Sequence, residues 1–159
     1  MLITDLKKAC GSNRAGIQRL RIIEAAEIVS VALPINGVLS GAIVLKNGQV
    51  FKEWQVNLSA DFSEVRKEDT KHGNYYEQTL RVVFSQDRNE LTVHHRIMRN
   101  IRYAILYTDS NGLTKFIPRM ENLSSQTTGE GNKGKNIYSW QFGNKAPLPA
   151  MIFTGTITN

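Results

Sequence analysis

An apolar run at 103–107 is followed by Asp109-Ser110-Asn111-Gly112, after which 113–123 returns as the partner strand. Asn-Gly pairs adopt the positive φ angles that type I′ hairpin turns require, so this tetrapeptide predicts two antiparallel strands joined by a tight turn. Pro118 lies within the returning strand and has no N–H to donate. We therefore expect an edge or a bulge at that position.

Apolar and polar residues alternate in several further segments, which is typical of half-buried strands. Strands are predicted at 17–23, 75–86, 137–142 and 151–157. Residues 25–30 are compatible with a helical turn. Two of the strands have an apolar face of large side chains, formed by Tyr76, Leu80, Val82 and Phe84 in one and by Tyr138, Trp140 and Phe142 in the other.

A second hairpin is predicted around Asn47-Gly48, which separates 42–45 from a long run at 50–65. Within this run the apolar phase changes between Phe51 and Trp54, which suggests a bulge. A further turn is expected at 71–74, ahead of the strand at 75–86.

The segment 87–100 has a helical period instead of an alternating one. Asp87 followed by Glu90 forms a capping box, the sequence signature of a helix start. Apolar or histidine residues then recur at steps of three and four, at Leu91, His94, Met98 and Ile101. One amphipathic helix is therefore expected among the strands.

These elements define a mainly β fold with one helix, an α+β chain built as an antiparallel sandwich or barrel with long hairpins. The 159 residues fit one domain, 1–159, since folded domains cluster near about 100–150 residues. We expect an N-terminal arm at 1–16. The polar, glycine-rich stretch at 124–136 is predicted to be a flexible loop.

Composition narrows the possible partners. The net charge of +6 raises the expectation of an anionic partner, but no dense Lys/Arg block is present. Cys10 is the single cysteine, so neither an intrachain disulfide nor a Cys-based zinc site is possible, and a reducing compartment is expected. No apolar stretch is long enough for a signal peptide or a membrane span, so we expect a protein made in the cytoplasm with no membrane partner.

The histidines do not have the spacing of metal ligands. His94 and His95 are adjacent on the predicted helix, so their side chains diverge by about 100°. His72 has no His partner at helix or strand spacing. We interpret all three as surface or helix-boundary residues and predict no metal site.

Nucleophilic or phosphate-binding chemistry is not expected either. Cys10 lacks the motifs that surround catalytic cysteines and is interpreted as a packing residue. Glu68-Asp69 is interpreted as a solvated strand end. The glycine-rich segment 129–135 lacks the Ser/Thr and the following helix of a phosphate loop. The sequence thus predicts no catalytic, cofactor-binding or metal-binding residues and no enzyme.

Arginines along the predicted helix leave several interpretations open. Arg88, Arg96, Arg99 and Arg102, with His94 and His95, would form a positive stripe able to bind nucleic-acid phosphates. Because the same helix must bury an apolar face, the arginines are alternatively its solvent side or meet acidic groups of a neighbouring subunit.

Taken in order, the predicted elements resemble the tail tube and tail ring proteins of long-tailed phages, including crAss-like phages of Bacteroidota, and the related tube proteins of contractile injection systems. The segments that carry the resemblance are distributed over nearly the whole chain: 10–17, 75–80, 105–112 and 137–142, followed by Pro147 and Pro149.

This resemblance implies a virion structural protein, a subunit that closes into a ring, hexameric in the family, around a channel for DNA. It further implies a long hairpin at 46–67, an arm at 122–136 that reaches a neighbour, and tail or connector proteins as partners. Assembly would take place in the host cytoplasm and the product would lie in the virion tail. Many tube channels are negative, whereas this chain is basic, which favours an adaptor ring, a cationic outer face or acidic neighbours.

A second hypothesis is a monomeric β module that binds nucleic acid or a ligand. It would use Tyr75, Tyr76, Trp54 and Trp140 as stacking groups. A third, a small hydrolase, is favoured only by the histidines.

Overall fold

The computed structural model describes residues 16–56, 59–69, 71, 73–84, 89–98, 100–128 and 137–159. These residues form twelve strands, one α-helix and a short 3-10 helix at Ala25–Glu27. The elements are β1 (Ile17–Glu24), β2 (Ile28–Val31), β3 (Val38–Leu39), β4 (Ile43–Leu45), β5 (Lys52–Trp54), β6 (Ser59–Asp69), β7 (Gly73–Phe84), α1 (Asn89–Met98), β8 (Arg102–Asp109), β9 (Thr114–Thr128), β10 (Ile137–Ala146), β11 (Met151–Phe153) and β12 (Ile157–Thr158). The predicted mainly β fold with one helix is confirmed.

The larger sheet runs in the order β5-β1-β8-β9-β10-β7-β6, and all neighbours along this path are antiparallel. All seven strands contribute side chains to one apolar cluster, which shows that the sheet curls around it as a barrel does. The residue that precedes β1 approaches β6, the last strand of this path: a Cβ added at Gly16 would lie 2.6 Å from the carbonyl oxygen of Ala60.

A second, smaller sheet of β2, β4 and β12 covers part of the outer face of the barrel. It contributes to a separate apolar cluster that contains Ile43 and Leu45 of β4 together with Ala104 and Leu106 of β8. Three other residues of β8 face the barrel core instead: Tyr103, Ile105 and Tyr107. Because both of its faces are covered, β8 is the continuous apolar run that the sequence shows.

The helix α1 packs against the barrel core with the residues that its three- and four-residue spacing predicted. Leu91, His94 and Met98 are buried, and Ile101 packs against the same cluster. Asp87, the first residue of the predicted capping box, lies outside the described residues.

The hairpin expected at Asn47-Gly48 is wrong, although the turn itself forms. The amide of Gln49 donates to the carbonyl of Lys46 at 3.0 Å, and Gly48 has φ +77. The strands on either side enter different sheets, since β4 pairs with β2 and β12 whereas β5 pairs with β1. Two separate cores bury these strands, and that overrides the local preference for pairing.

The run at 50–65 is also divided, so the long hairpin expected at 46–67 is wrong. Its first part, β5, pairs with β1, and its second part, β6, pairs with β7. The bulge expected at Phe51–Trp54 is absent from β5, which pairs with β1 without a register shift. The phase change arises because Phe51 packs on the outer cluster and Trp54 lies in the barrel core.

The long hairpin of the structure is β6–β7, closed at the predicted turn near residue 71. Its register is continuous from Ser59 opposite Val83 to Asp69 opposite Gly73. The hairpin β8–β9 forms as predicted around Gly112, whose φ is +83. Pro118 lies at a bulge in β9, as expected for a residue without an amide hydrogen.

Two boundaries near the C-terminus are corrected. Residues 124–128, expected to belong to the flexible loop, form the end of β9 and pair with β10, while 129–136 lie outside the described residues. The polar side chains of 124–128 do not prevent pairing with β10, because the hydrogen bonds between strands join backbone groups. The strand expected at 151–157 is two strands, β11 in the large sheet and β12 in the small one.

At 25–30 the expected helical turn is limited to the 3-10 helix, after which β2 begins.

Candidate assembly surfaces

The residues considered for chemistry do not converge. In the described part of the chain no group of three or more His, Cys, Asp or Glu residues could hold a metal ion. His94 is buried, and its Nδ1 lies 2.7 Å from the carbonyl oxygen of Glu90. Its interpretation as a surface residue is therefore wrong. Cys10, His72, the 129–135 segment and the side chain of His95 lie outside the described residues and side chains.

The acidic pair at the end of β6 is solvated, as predicted. Glu68 is exposed and lies 3.9 Å from Arg66. The Asp69 carboxylate accepts a hydrogen bond from the amide of Lys71 at 2.8 Å. This geometry closes the hairpin turn and brings no second carboxylate into position for acid–base chemistry.

The arginine stripe is not assembled on one element. Arg96 is exposed on α1, whereas Arg102 belongs to β8 and donates to Glu121 of β9 at 2.8 Å. Arg88 and Arg99 lie outside the described residues. Arg102 thus forms a cross-strand ion pair with Glu121 and does not belong to a phosphate-binding surface on the helix.

Two of the four proposed stacking groups are inside the barrel. Trp54 and Trp140 are buried, and their ring centroids are 4.9 Å apart. Neither can stack on a base, so that part of the prediction is wrong. Tyr75 and Tyr76 are half-buried on β7, and the Lys145 ammonium lies 5.6 Å from the centroid of the Tyr75 ring.

Buried tyrosines account for the largest shifts in acidity. Burial raises the pKa of Tyr103 well above its usual range, and the charge of Glu24 raises it further. Burial likewise raises the pKa of Tyr107, with smaller effects from Glu64 and Asp109. Both phenols face the barrel core and neither meets a converging set of polar groups, so these shifts report packing.

The most distinctive surface is the β6–β7 hairpin. The pairing of β7 with β10 ends at Tyr76 opposite Ala146, whereas its pairing with β6 continues to Gly73 opposite Asp69. The tip of the hairpin is therefore only two strands wide. In the described residues β6 pairs with β7 alone, which leaves its other edge open, and Val65 on this strand is 47% exposed.

The base of the hairpin is held firmly. The Glu64 carboxylate accepts hydrogen bonds from Gln78 Nε2 at 2.8 Å and from the amide of Ala150 at 2.7 Å. Gln78 is buried, and its own oxygen lies 3.5 Å from Asn144 Nδ2. The open edge of β6 is thus presented by a strand with a fixed orientation.

Two surface cavities lie on either side of the β9 bulge. One, of about 830 Å³, is lined by charged and amide residues that include Glu24 and Arg102. The other, of about 570 Å³, lies over β7, β9 and β10. Neither lining contains a Ser, Cys or His, so the described residues of both cavities lack the usual nucleophile and base of a hydrolase.

Comparison with protein-family models, with curated proteins and with solved structures finds no match to this chain. The resemblance to tail tube proteins accordingly stays a prediction. In the described residues no helix has the length and apolar character needed to cross a membrane.

The sequence did not indicate where the open edge lies. It predicted the strand at 75–86 and the turn after 71, but the partner of that strand was assigned to a different hairpin. One signal in the sequence points to the observed pairing: polar and apolar residues alternate at the start of the 59–65 segment, as they do on the apolar face of 80–84.

Proposed function

We propose that the protein is a non-enzymatic virion structural subunit of a phage tail tube or tail adaptor ring. Copies of the chain assemble into a closed ring, six by the resemblance, around a channel through which DNA passes. Neighbouring tail or connector proteins are its other partners, and assembly precedes incorporation into the virion tail.

One structural feature carries this function: the open edge of β6. Among the described residues the outer edge of this 11-residue strand has no pairing partner, and such an edge presents a row of N–H and C=O groups that another chain can pair with. The hairpin extends past β10, so its edge is accessible to a neighbour. In the proposed ring this edge pairs with a different surface of the next copy, and repetition of such a contact closes a ring when the rotation between copies allows it.

Charge on β6 agrees with a selective contact. Its side chains include four acidic residues and two basic ones, Arg66 and Lys67, within a chain of net charge +6. Charged edge strands resist indiscriminate aggregation, so only a partner with a complementary pattern pairs well. This favours a defined ring over amorphous association.

The direct test is the mass and shape of the purified chain. Light scattering at increasing concentration should show species far above 17.9 kDa, and electron microscopy should show rings or stacked tubes. A particle that stays at 17.9 kDa at every concentration, and that shifts single-stranded DNA in a salt-dependent manner, would overturn the proposal in favour of the monomeric binding module.

A matched pair of variants tests the edge itself. Adjacent amides of a strand point in opposite directions, so of Val65→Pro and Arg66→Pro one removes a hydrogen bond to β7 and the other removes only a donor of the open edge. We expect one variant to lose hairpin stability and the other to keep the fold but lose assembly. Two folded variants that assemble normally would contradict a role for this edge.

A further inference from the structure

The turn between β2 and β3 is an uncharged protrusion. Leu33 is 89% and Ile35 70% exposed, the two highest values among the large apolar residues of the described chain. Residues 31–40 contain no charged side chain. Two exposed aliphatic side chains on one uncharged turn form an apolar patch that a partner can cover.

This protrusion is rigid. Ile35 and Val38 exchange both backbone hydrogen bonds at 2.9 Å around Asn36 and Gly37, whose φ angles of 51 and 79 are those of a type I′ turn. The Gly37 carbonyl also accepts the amide of Ile152 in β11 at 2.9 Å. A preorganised turn loses little conformational entropy when it binds, which favours its use as an anchor.

A matching groove exists on the same chain. It is the cavity of about 570 Å³ over β7, β9 and β10, within the roughly 300–1,000 Å³ range of pockets that enclose small molecules. Its apolar lining comes from Pro118, Leu123, Gly143, Ala146 and Pro147. Leu123 is 60% exposed there, and it lies over Gly143, which has no side chain to fill the groove.

Charges in the groove suit an uncharged occupant. Glu121 is paired with Arg102 at 2.8 Å, and Lys145 stands directly opposite Glu77 in the β10–β7 register. Arg119 also lines the groove, so the lining holds two acidic side chains, Glu77 and Glu121, and two basic ones, Arg119 and Lys145, and it needs no net counter-charge from a ligand. The exposure of Leu33 and Ile35 shows that the protrusion does not occupy the groove of its own chain.

We propose that Leu33 and Ile35 of one copy insert into the Leu123–Gly143 groove of the next copy. This inference rests on the proposed ring and names a second, head-to-tail contact within it. The two side chains bury on the order of 200 Å² of apolar surface, against about 800 Å² per partner in a standard interface. They act as an anchor that adds to the β6 edge and do not form the whole interface.

The first test replaces the anchor. Burial of one aliphatic side chain is worth about a factor of ten to a hundred in an equilibrium constant. Leu33→Asp should therefore raise the concentration for half-assembly at least tenfold without lowering the melting temperature, since Leu33 is exposed. The control is Val93→Asp on α1, where a valine 54% exposed lies away from both surfaces; it should assemble like the wild type.

The second test mixes two defective variants. Leu33→Asp/Ile35→Asp retains the groove, and Leu123→Asp retains the protrusion, so only one productive contact can form between them. At concentrations where each is a monomer, the mixture should give a species of twice 17.9 kDa and nothing larger. As a control, circular dichroism should show that Leu123→Asp is folded.

The outcomes separate the two proposals. If the wild-type chain never assembles, both the proposed ring and the proposed anchor are refuted. A wild-type chain that assembles, with Leu33→Asp assembling equally well, leaves the ring intact and refutes the anchor. Loss of assembly in Leu33→Asp without dimers in the mixture of folded variants means that the protrusion meets a different surface, which also refutes the pairing with this groove.

Discussion

Replacing Trp54 by alanine should destabilise the protein by about 4 kcal/mol. Loss of a buried aromatic side chain costs roughly 3–5 kcal/mol, and the position in the aromatic cluster sets the value within that range. The Trp54 ring contacts four others, with centroids 4.9 Å away at Trp140, 6.2 Å at Phe84 and at Phe142, and 6.4 Å at His94. Ring contacts of this kind stabilise by more than the area they bury, which places the cost at no less than the middle of that range.

Urea unfolding monitored by the fluorescence of the remaining Trp140 measures this loss. With a slope of about 2 kcal/mol per molar urea, the midpoint should fall by about 2 M. Val93→Ala is the control, because an exposed residue changes stability by no more than about 0.5 kcal/mol.

The alternative function predicts the opposite result for Trp54→Ala. If Trp54 were an exposed group that stacks on nucleic-acid bases, its removal would leave the urea midpoint near that of the wild type. Affinity for single-stranded DNA would instead fall by about 1–3 kcal/mol per base. A destabilisation below about 1 kcal/mol, together with weaker DNA binding, would refute the burial of Trp54 in the barrel core.

Three further measurements test other parts of the fold. Gly155→Ala should lower the melting temperature by several degrees, since an added Cβ would overlap backbone of the turn before β4; an unchanged transition contradicts that contact. Arg102→Ala should cost at most about 1 kcal/mol, because both Arg102 and Glu121 are 55% exposed; a larger loss means a role beyond this ion pair. Since burial raises the folded-state pKa of Tyr103 and Tyr107, their contribution to stability is complete below the ordinary value of 10.0 and decreases as pH rises above it. Absorbance at alkaline pH should show both phenols ionising only as the protein unfolds, and ionisation in the native state near 10.0 would disprove their burial.

Local sequence signals predicted the parts of the fold that depend on near neighbours. The β8–β9 hairpin follows from the turn that ends at Gly112, a residue that adopts its positive φ of 83 at no steric cost, although Asn111 does not share the positive φ of a type I′ turn. The helix α1 follows from the three- and four-residue spacing of Leu91, His94 and Met98, which all face the core. Alternation with a period of two residues correctly placed Tyr138, Trp140 and Phe142 of β10 on the inside.

Long-range packing decided what the sequence left open. Asn47-Gly48 forms its turn in either case, but the flanking strands separate because β4 is buried in the outer cluster and Trp54 in the barrel core. The candidate surfaces depend on such choices as well: within the described part of the chain β6 has an open edge, because β7 pairs with one side of it and β1 approaches it near Ala60 without pairing.

By itself the sequence determined the secondary-structure class, the helix and the turns, since these arise from backbone preferences and side-chain spacing within a few residues. Only the tertiary structure decided which strands pair, which aromatic residues are buried, and where an edge and a groove remain available. The physical reason is that an apolar side chain can be buried in either of two cores, and which core buries it depends on residues far away in the chain.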